Sequence, residues 1–156
     1  MTRGEPMLLA AELDPGYWSI VGHGVSAIAL YTIIGIALLV LGFFVIDWTT
    51  PGPLRTLVQA GRPNAAAIAA SGAISNAFIV VLAIFSASGN LVEGLLRTLV
   101  FGLVGLAAQA LSVWLIHLVT GIDIGRLLAA ERYLPETLVV CATYVAFGLI
   151  IAAAIL

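Results

Sequence analysis

Few side chains in this protein could do chemistry, and their spacing keeps most of them apart. The 156 residues include two histidines, one cysteine, eight acids and six basic residues, all arginine. His23 precedes the first long apolar run and His117 closes the third. If each run crosses a membrane, the two lie on opposite sides of a core about 30 Å thick, which excludes a shared haem or metal. A histidine such as His117 also suits a helix C-terminus or a membrane interface. Cys141 falls inside an apolar run, where a thiol is inert, and a lone cysteine gives no disulfide framework. The sequence offers no paired carboxylates, nucleophile–base pair or metal-ligand spacing. It therefore predicts no enzyme and no cofactor.

Two amides carry more information. Asn76 lies twelve residues beyond Asn64, and Gln109 twelve beyond Arg97. On helices running in opposite directions, both fall about 18 Å from opposite faces, near the midplane. The expectation is a mutual hydrogen bond between Asn76 and Gln109 that holds helices together; the alternative is a polar contact in a permeation path. A second group surrounds the first loop. Asp47 closes a helix, where the macrodipole disfavours a carboxylate, and it shares its side with Arg55, Arg62 and Arg126. Asp47, Arg55, Arg62 and Asn64 are the candidates for an ion pair or a cap. Asn64 stands as an N-cap for the alanine-rich run after it, or else as a binding residue.

The elements that position these residues are four stretches without Asp, Glu, Lys or Arg: Val25–Ile46, Ala65–Ala87, Thr98–Ile116 and Thr137–Leu156. Each is about long enough to cross the hydrocarbon core as a helix. The chain is 62% hydrophobic and 9% charged, far below the roughly 25% charge of a soluble domain. Backbone groups in lipid must be satisfied within the spanning structure, and a barrel would need alternating strands of about ten residues. The continuous runs predict an all-α, polytopic membrane protein with four transmembrane helices, and the lipid bilayer as its first partner. Met1–Gly22 reads as a polar lead that carries Glu5, Glu12 and Asp14 against Arg3, the wrong balance for a signal peptide. Val25–Ile46 is thus a retained span. A net charge of −2 with no basic patch argues against nucleic acid. Arg55, Arg62, Arg126 and Arg132 lie in the first and third loops, and Arg3 and Arg97 on the other side. This places those loops in the cytoplasm and both termini outside the inner membrane.

The chain also resembles itself at a spacing of seventy residues. Gly35, Ala37, Leu41, Ile46, Thr50, Leu57 and Ala60 recur as Gly105, Ala107, Leu111, Ile116, Thr120, Leu127 and Ala130. Leu54, Leu57 and Val58 correspond to Ile124, Leu127 and Leu128, both triplets spaced i, i+3, i+4. Each inner loop thus predicts a short amphipathic turn lying on the membrane surface. The expected organisation is a lead over 1–22 and two span–loop–span repeats, 23–87 and 88–156. Stripes of small residues run along the spans, with Gly35, Gly72, Gly105 and Gly148 as close helix contacts. Gly35 and Gly105 are expected to be equivalent.

Asp47-Trp48-Thr49-Thr50-Pro51-Gly52-Pro53-Leu54, then Gly61-Arg62-Pro63-Asn64-Ala65-Ala66-Ala67 and Ala70-Ser71-Gly72, resemble the YjfL-like bacterial inner-membrane proteins, catalogued as domain of unknown function 350. The resemblance covers about residues 25–156. Tyr133-Leu134-Pro135-Glu136 departs from it, where a second Asn-Ala start would stand. It implies a membrane location and an association with envelope stress, and no established activity. No span holds an ionisable acid or base, which counts against a proton-coupled pump or a small multidrug exporter. The expected function is a non-enzymatic membrane partner or scaffold in envelope maintenance or stress, working with its own copies or other membrane proteins. The alternative is a small homo-oligomeric channel or facilitator for a small solute or ion.

Overall fold

Apolar runs that cannot leave backbone groups unpaired in lipid form four long helices, joined on one side by two short ones. In a computed structural model these are α1 (Tyr17–Thr49), α2 (Leu54–Gln59), α3 (Pro63–Phe85), α4 (Leu91–Thr120), α5 (Ile124–Ala129) and α6 (Glu136–Ile155). Residues 16–50 and 52–156 are described, without the side chains of Ile116, His117 and Thr120. The expectations for the lead up to Pro15, for Pro51 and for the His117 side chain lie outside the described residues. Tyr17–Gly22, read from sequence as part of the polar lead, belongs to α1. α1, α3, α4 and α6 are each long and apolar enough to cross a membrane. Many large apolar side chains face outward, Trp48 at 89% exposure among them. That surface suits lipid and not water.

The helix ends follow local chemistry. α3 starts with Pro63 at its first position, after Arg62 in an extended conformation; a proline there loses no hydrogen bond. Asn90 Oδ1 accepts from the backbone N–H of Glu93 at 3.0 Å as α4 begins, and Asp123 Oδ1 accepts from Arg126 N–H at 3.0 Å ahead of α5. Past the end of α2 and its cap Ala60 stands Gly61, whose φ of +74° favours glycine. There the N–H of Gly61 donates to Val58 O and that of Arg62 to Leu57 O, the paired bonds that close a helix and reverse the chain.

α3 is the centre. It touches every other helix, and its largest contact is with α6. Asn64 meets Thr137, Gly72 faces Tyr144, and Ser75 meets Gly148. Both partners advance together, so α3 and α6 run parallel. α1 crosses α3 in the opposite sense: Ile46 lies at Gly72, Gly42 at Asn76, and Gly35 near Val80 and Ile84. α4 parallels α1, with Tyr31 at Gly94 and Leu38 at Gly102.

The short helices α2 and α5 lie seventy residues apart and form where the two triplets predict amphipathic turns. Their apolar faces turn the other way from the expectation. Leu54, Ile124, Leu127 and Leu128 are buried in the core, and Leu57 and Val58 pack against it. A bundle end left open would expose Ala65, Ile68 and Val140 to water. The stripes cover that end of the core.

The glycines are not equivalent either. A Cβ at Gly148 would lie 2.8 Å from Ser75 Cα, and one at Gly72 2.7 Å from Ile46 Cδ1. One at Gly105 would overlap Ile79. One at Gly35 would sit 3.4 Å from Ile84 Cδ1, an ordinary contact. The expected match of Gly35 with Gly105 therefore fails; on α1 the tight glycine is Gly42, against the Asn76 amide. Gly148→Ala should lower stability by about 1–3 kcal/mol, because backbone cannot move aside as a side chain can. Gly35→Ala should be neutral or stabilise by about 0.5–1 kcal/mol, since glycine weakens a helix relative to alanine. Thermal unfolding of both variants in detergent checks this, and an equal loss at the two positions would contradict the packing.

Candidate functional site

Two polar centres stand out, one at the loop end of the bundle and one near its middle. At the loop end, Asn64 is fully buried. Its Nδ2 donates to the carbonyls of Arg132 at 2.8 Å and Ala130 at 3.4 Å. Its Oδ1 accepts from Leu134 N–H at 2.9 Å and from Thr137 Oγ1 at 2.8 Å. Two donors and two lone pairs exhaust what an asparagine side chain offers. The sequence expectation of an N-cap is corrected here. Arg62 holds the cap position and Pro63 the first turn, so the Asn64 side chain is released to tie the α5–α6 connection onto α3. Arg62 pairs with Glu131 at 3.0 Å between the same segments, rather than with Asp47. Glu131 is 82% exposed at its side chain, so this pair is screened and weak.

Asp47 finds a partner that the helix dipole argument did not name. Its Oδ1 accepts from the backbone N–H of Arg55 at 3.1 Å. A carboxylate badly placed at the end of α1 thereby serves the start of α2, where the dipole favours it. Arg55 contributes its main chain and forms no described ion pair with Asp47.

Near the middle, Asn76 and Gln109 are both buried, but they are not partners. Asn76 Nδ2 donates to the Leu39 carbonyl of α1 at 3.1 Å. Neither Gln109 side-chain atom has a protein partner, nor do Asn76 Oδ1, Ser75 Oγ and Tyr144 Oη. Gly42 explains the exchange. With no side chain there, the Asn76 amide lies directly on α1 and reaches a carbonyl one turn earlier. Ser75, Gly42 and the Leu39 carbonyl belong to this centre, and the sequence does not group them with the two amides. The Thr50 hydroxyl, at the end of α1, donates to Ile46 O at 2.6 Å.

Elsewhere, His23 Nδ1 lies 2.8 Å from Ser19 O, and Cys141 is a half-buried free thiol. Among the described residues, no three His, Cys, Asp or Glu side chains gather as a metal site would need.

Four apolar helices, two of them carrying buried amides, define a polytopic α-helical membrane protein. The family described as Domain of Unknown Function (DUF350) matches residues 19–155, and the chain belongs to it. A UPF0719 transmembrane protein of Mycolicibacterium paratuberculosis is 31% identical over 150 residues, covering 96% of this chain and 99% of the relative. UPF0719 transmembrane proteins of Mycobacterium bovis and Mycobacterium tuberculosis are each 42% identical over 81 residues, 51% of this chain. The match spans about half the length of these two relatives, 53% of each. No solved structure matches.

The two polar anchors on the loop side should differ in weight. Asn64→Ala strands Leu134 N–H and the Thr137 hydroxyl in a buried setting, and should cost about 2–4 kcal/mol. Asp47→Ala removes one exposed cap and should cost about 0.5–1 kcal/mol. Denaturation of purified protein would settle the order; a milder loss at Asn64 than at Asp47 would remove its role as the clamp.

Proposed function

We propose that the protein is a non-enzymatic partner or scaffold of the bacterial inner membrane, acting in envelope maintenance or stress. The observation that carries this reading is α1. At 33 residues it is about 50 Å long, against about 35 Å for the 23 residues of α3. Its only buried residues are Leu38, Gly42 and Ile46. Trp18, Ile20, Val25 and Ile28 are all at least 60% exposed, and a Cβ added at Gly22 or Gly24 would meet nothing. Small and polar residues Ser19, Gly22, His23 and Ser26 line one depression on this segment, the composition that lets helices approach closely in lipid. A second copy or another membrane helix fits that face better than a substrate does. The chain is also read as two span–loop–span units, supported by the seventy-residue spacing of α2 and α5. Arginine placement supports the loops in the cytoplasm and both termini outside.

The second reading, a small homo-oligomeric channel or facilitator, is favoured by the unpaired amide of Gln109, since a passive path for a neutral solute needs only a few such groups. Two measurements separate the readings. Gly22→Cys, in a chain with Cys141 replaced, should form a disulfide-linked homodimer or a cross-link to one specific partner in native membranes. Purified protein in liposomes should pass neither water, urea-sized solutes nor common ions. Saturable flux abolished by Gln109→Leu, in protein that remains folded, would overturn the scaffold in favour of the channel.

Orientation has its own test. Gln59→Cys and Ser88→Cys, placed singly in the same background, should label from opposite sides. Whole cells treated with an impermeant reagent should be modified at position 88 and spared at position 59; the reverse pattern would invert the topology.

A further inference from the structure

The apolar core of this bundle is in two pieces. On the loop side, Ile46, Ile68, Val113, Val140 and Tyr144 belong to one cluster. On the other side, Leu38, Val80 and Leu106 form a second. Between them the helices contribute glycine or polar side chains: Gly42 on α1, Ser75 and Asn76 on α3, Gln109 on α4, Gly148 on α6. Their common level follows from contacts. Gly105 lies against both Ile79 and Ile151. One turn toward the loops on each helix brings Gln109 level with Ser75 and with the Phe147-Gly148 step. Gly148 in turn lies on Ser75, and Gly42 on Asn76.

Ser75, Asn76 and Gln109 are at most 2% exposed. Ser75 Oγ, Asn76 Oδ1, Gln109 Oε1 and Gln109 Nε2 have no hydrogen-bond partner in the protein. Orphaned polar atoms are costly in an apolar interior and more so within lipid. A second copy of the chain cannot reach them, because the bundle already encloses them. Whatever meets them must be neutral, since the four apolar stretches carry no Asp, Glu, Lys or Arg to balance an ion. It must both donate and accept, because the free atoms include the Gln109 NH2 as well as carbonyl oxygens. It must also be small: the space that Gly42 and Gly148 free is already taken by the Asn76 amide and the Ser75 hydroxyl. Water meets all three conditions, and a buried water commonly makes about three hydrogen bonds.

We propose that Ser75, Asn76 and Gln109 form an internal water site at the centre of the bundle, sealed by Val80 and Leu106 on one side and by Val113 and Tyr144 on the other. The site is a trapped layer and not a conduit. It stands independently of any partner on α1.

The test uses the full chain, labelled with ¹⁵N and held in lipid nanodiscs. Magnetisation is transferred selectively from water to side-chain NH2 groups, with Gln109→Met and Asn76→Leu used to assign the signals. Transfer to the Gln109 NH2 is expected, with the backbone amides of Val80 and Val113 silent. In the Ser75→Ala variant, which removes one ligand and keeps the Cα and Cβ that touch Gly148, transfer to Gln109 should weaken. If the Gln109 NH2 receives nothing from water and instead shows a direct contact to Asn76, the two amides pair and the site does not exist. If Val80 and Val113 receive transfer as strongly as Gln109, the layer is open to bulk water and the sealed site is equally lost.

Discussion

The close parallel approach of α3 and α6 sets the geometry on which the other helices depend. In lipid there is no hydrophobic force to drive one helix onto another, so van der Waals contact and hydrogen bonds must do it. Three levels along this pair supply them. Asn64 binds the start of α6 through Thr137 and the preceding loop through Leu134. Gly72 accommodates Ile46 and the Tyr144 ring. Gly148 lets the α6 backbone press on Ser75. With these helices fixed, α4 lies across both, and Gly105 is tight because Ile79 of α3 and Ile151 of α6 converge on it.

The loop side completes the same arrangement. A four-helix bundle in a membrane has ends that meet water, and its core must be closed there. α2 and α5 do this with Leu54, Ile124 and Leu128, all essentially inaccessible. Each short helix is started by an acid, Asp47 for α2 and Asp123 for α5, but from different distances. Asp123 is the residue just before its helix, whereas Asp47 reaches forward from the end of α1. The two halves therefore achieve like shapes with unlike contacts, in keeping with Asn64 having Tyr133-Leu134-Pro135 near the corresponding place in the second half.

What the sequence made legible was whatever depends on hydropathy and local spacing. The four spans and the positions of both short helices follow from run lengths and periodicity. What depends on distant partners was not legible. Asn64 looks like a cap because Asn before an alanine run usually is one; the competing residues were adjacent, Arg62 and Pro63, but its true partners lie 66 to 73 residues away. The sequence suggests Gln109 as the partner of Asn76 because side chains can be counted in a sequence. A backbone carbonyl opened by a glycine on another helix cannot. Gly35 and Gly42 occupy the same stripe two turns apart, and only the crossing of α1 over α3 decides which of them is pressed. The apolar triplets of α2 and α5 have a clear period, yet period alone does not say whether the face turns to lipid or to a core.

The anchoring of the spans is uneven, and the unevenness has a physical cause. α6 is tied to α3 at its loop end by hydrogen bonds that use every donor and acceptor of Asn64. α1 is tied to α3 by one hydrogen bond, from Asn76 to the Leu39 carbonyl, and that oxygen also lies in the helix ladder of α1. A shared acceptor gives a weaker bond than an unshared one. The remaining attachment of α1 is packing: Leu38, Gly42 and Ile46 are buried, and Tyr31, Ile34, Gly35 and Phe43 are partly covered. α1 is accordingly the least anchored of the four spans, and it is also the one with the longest uncovered apolar surface. The strongest contacts hold α3 and α6 at the centre, while the helix with most surface left for association is held by the fewest.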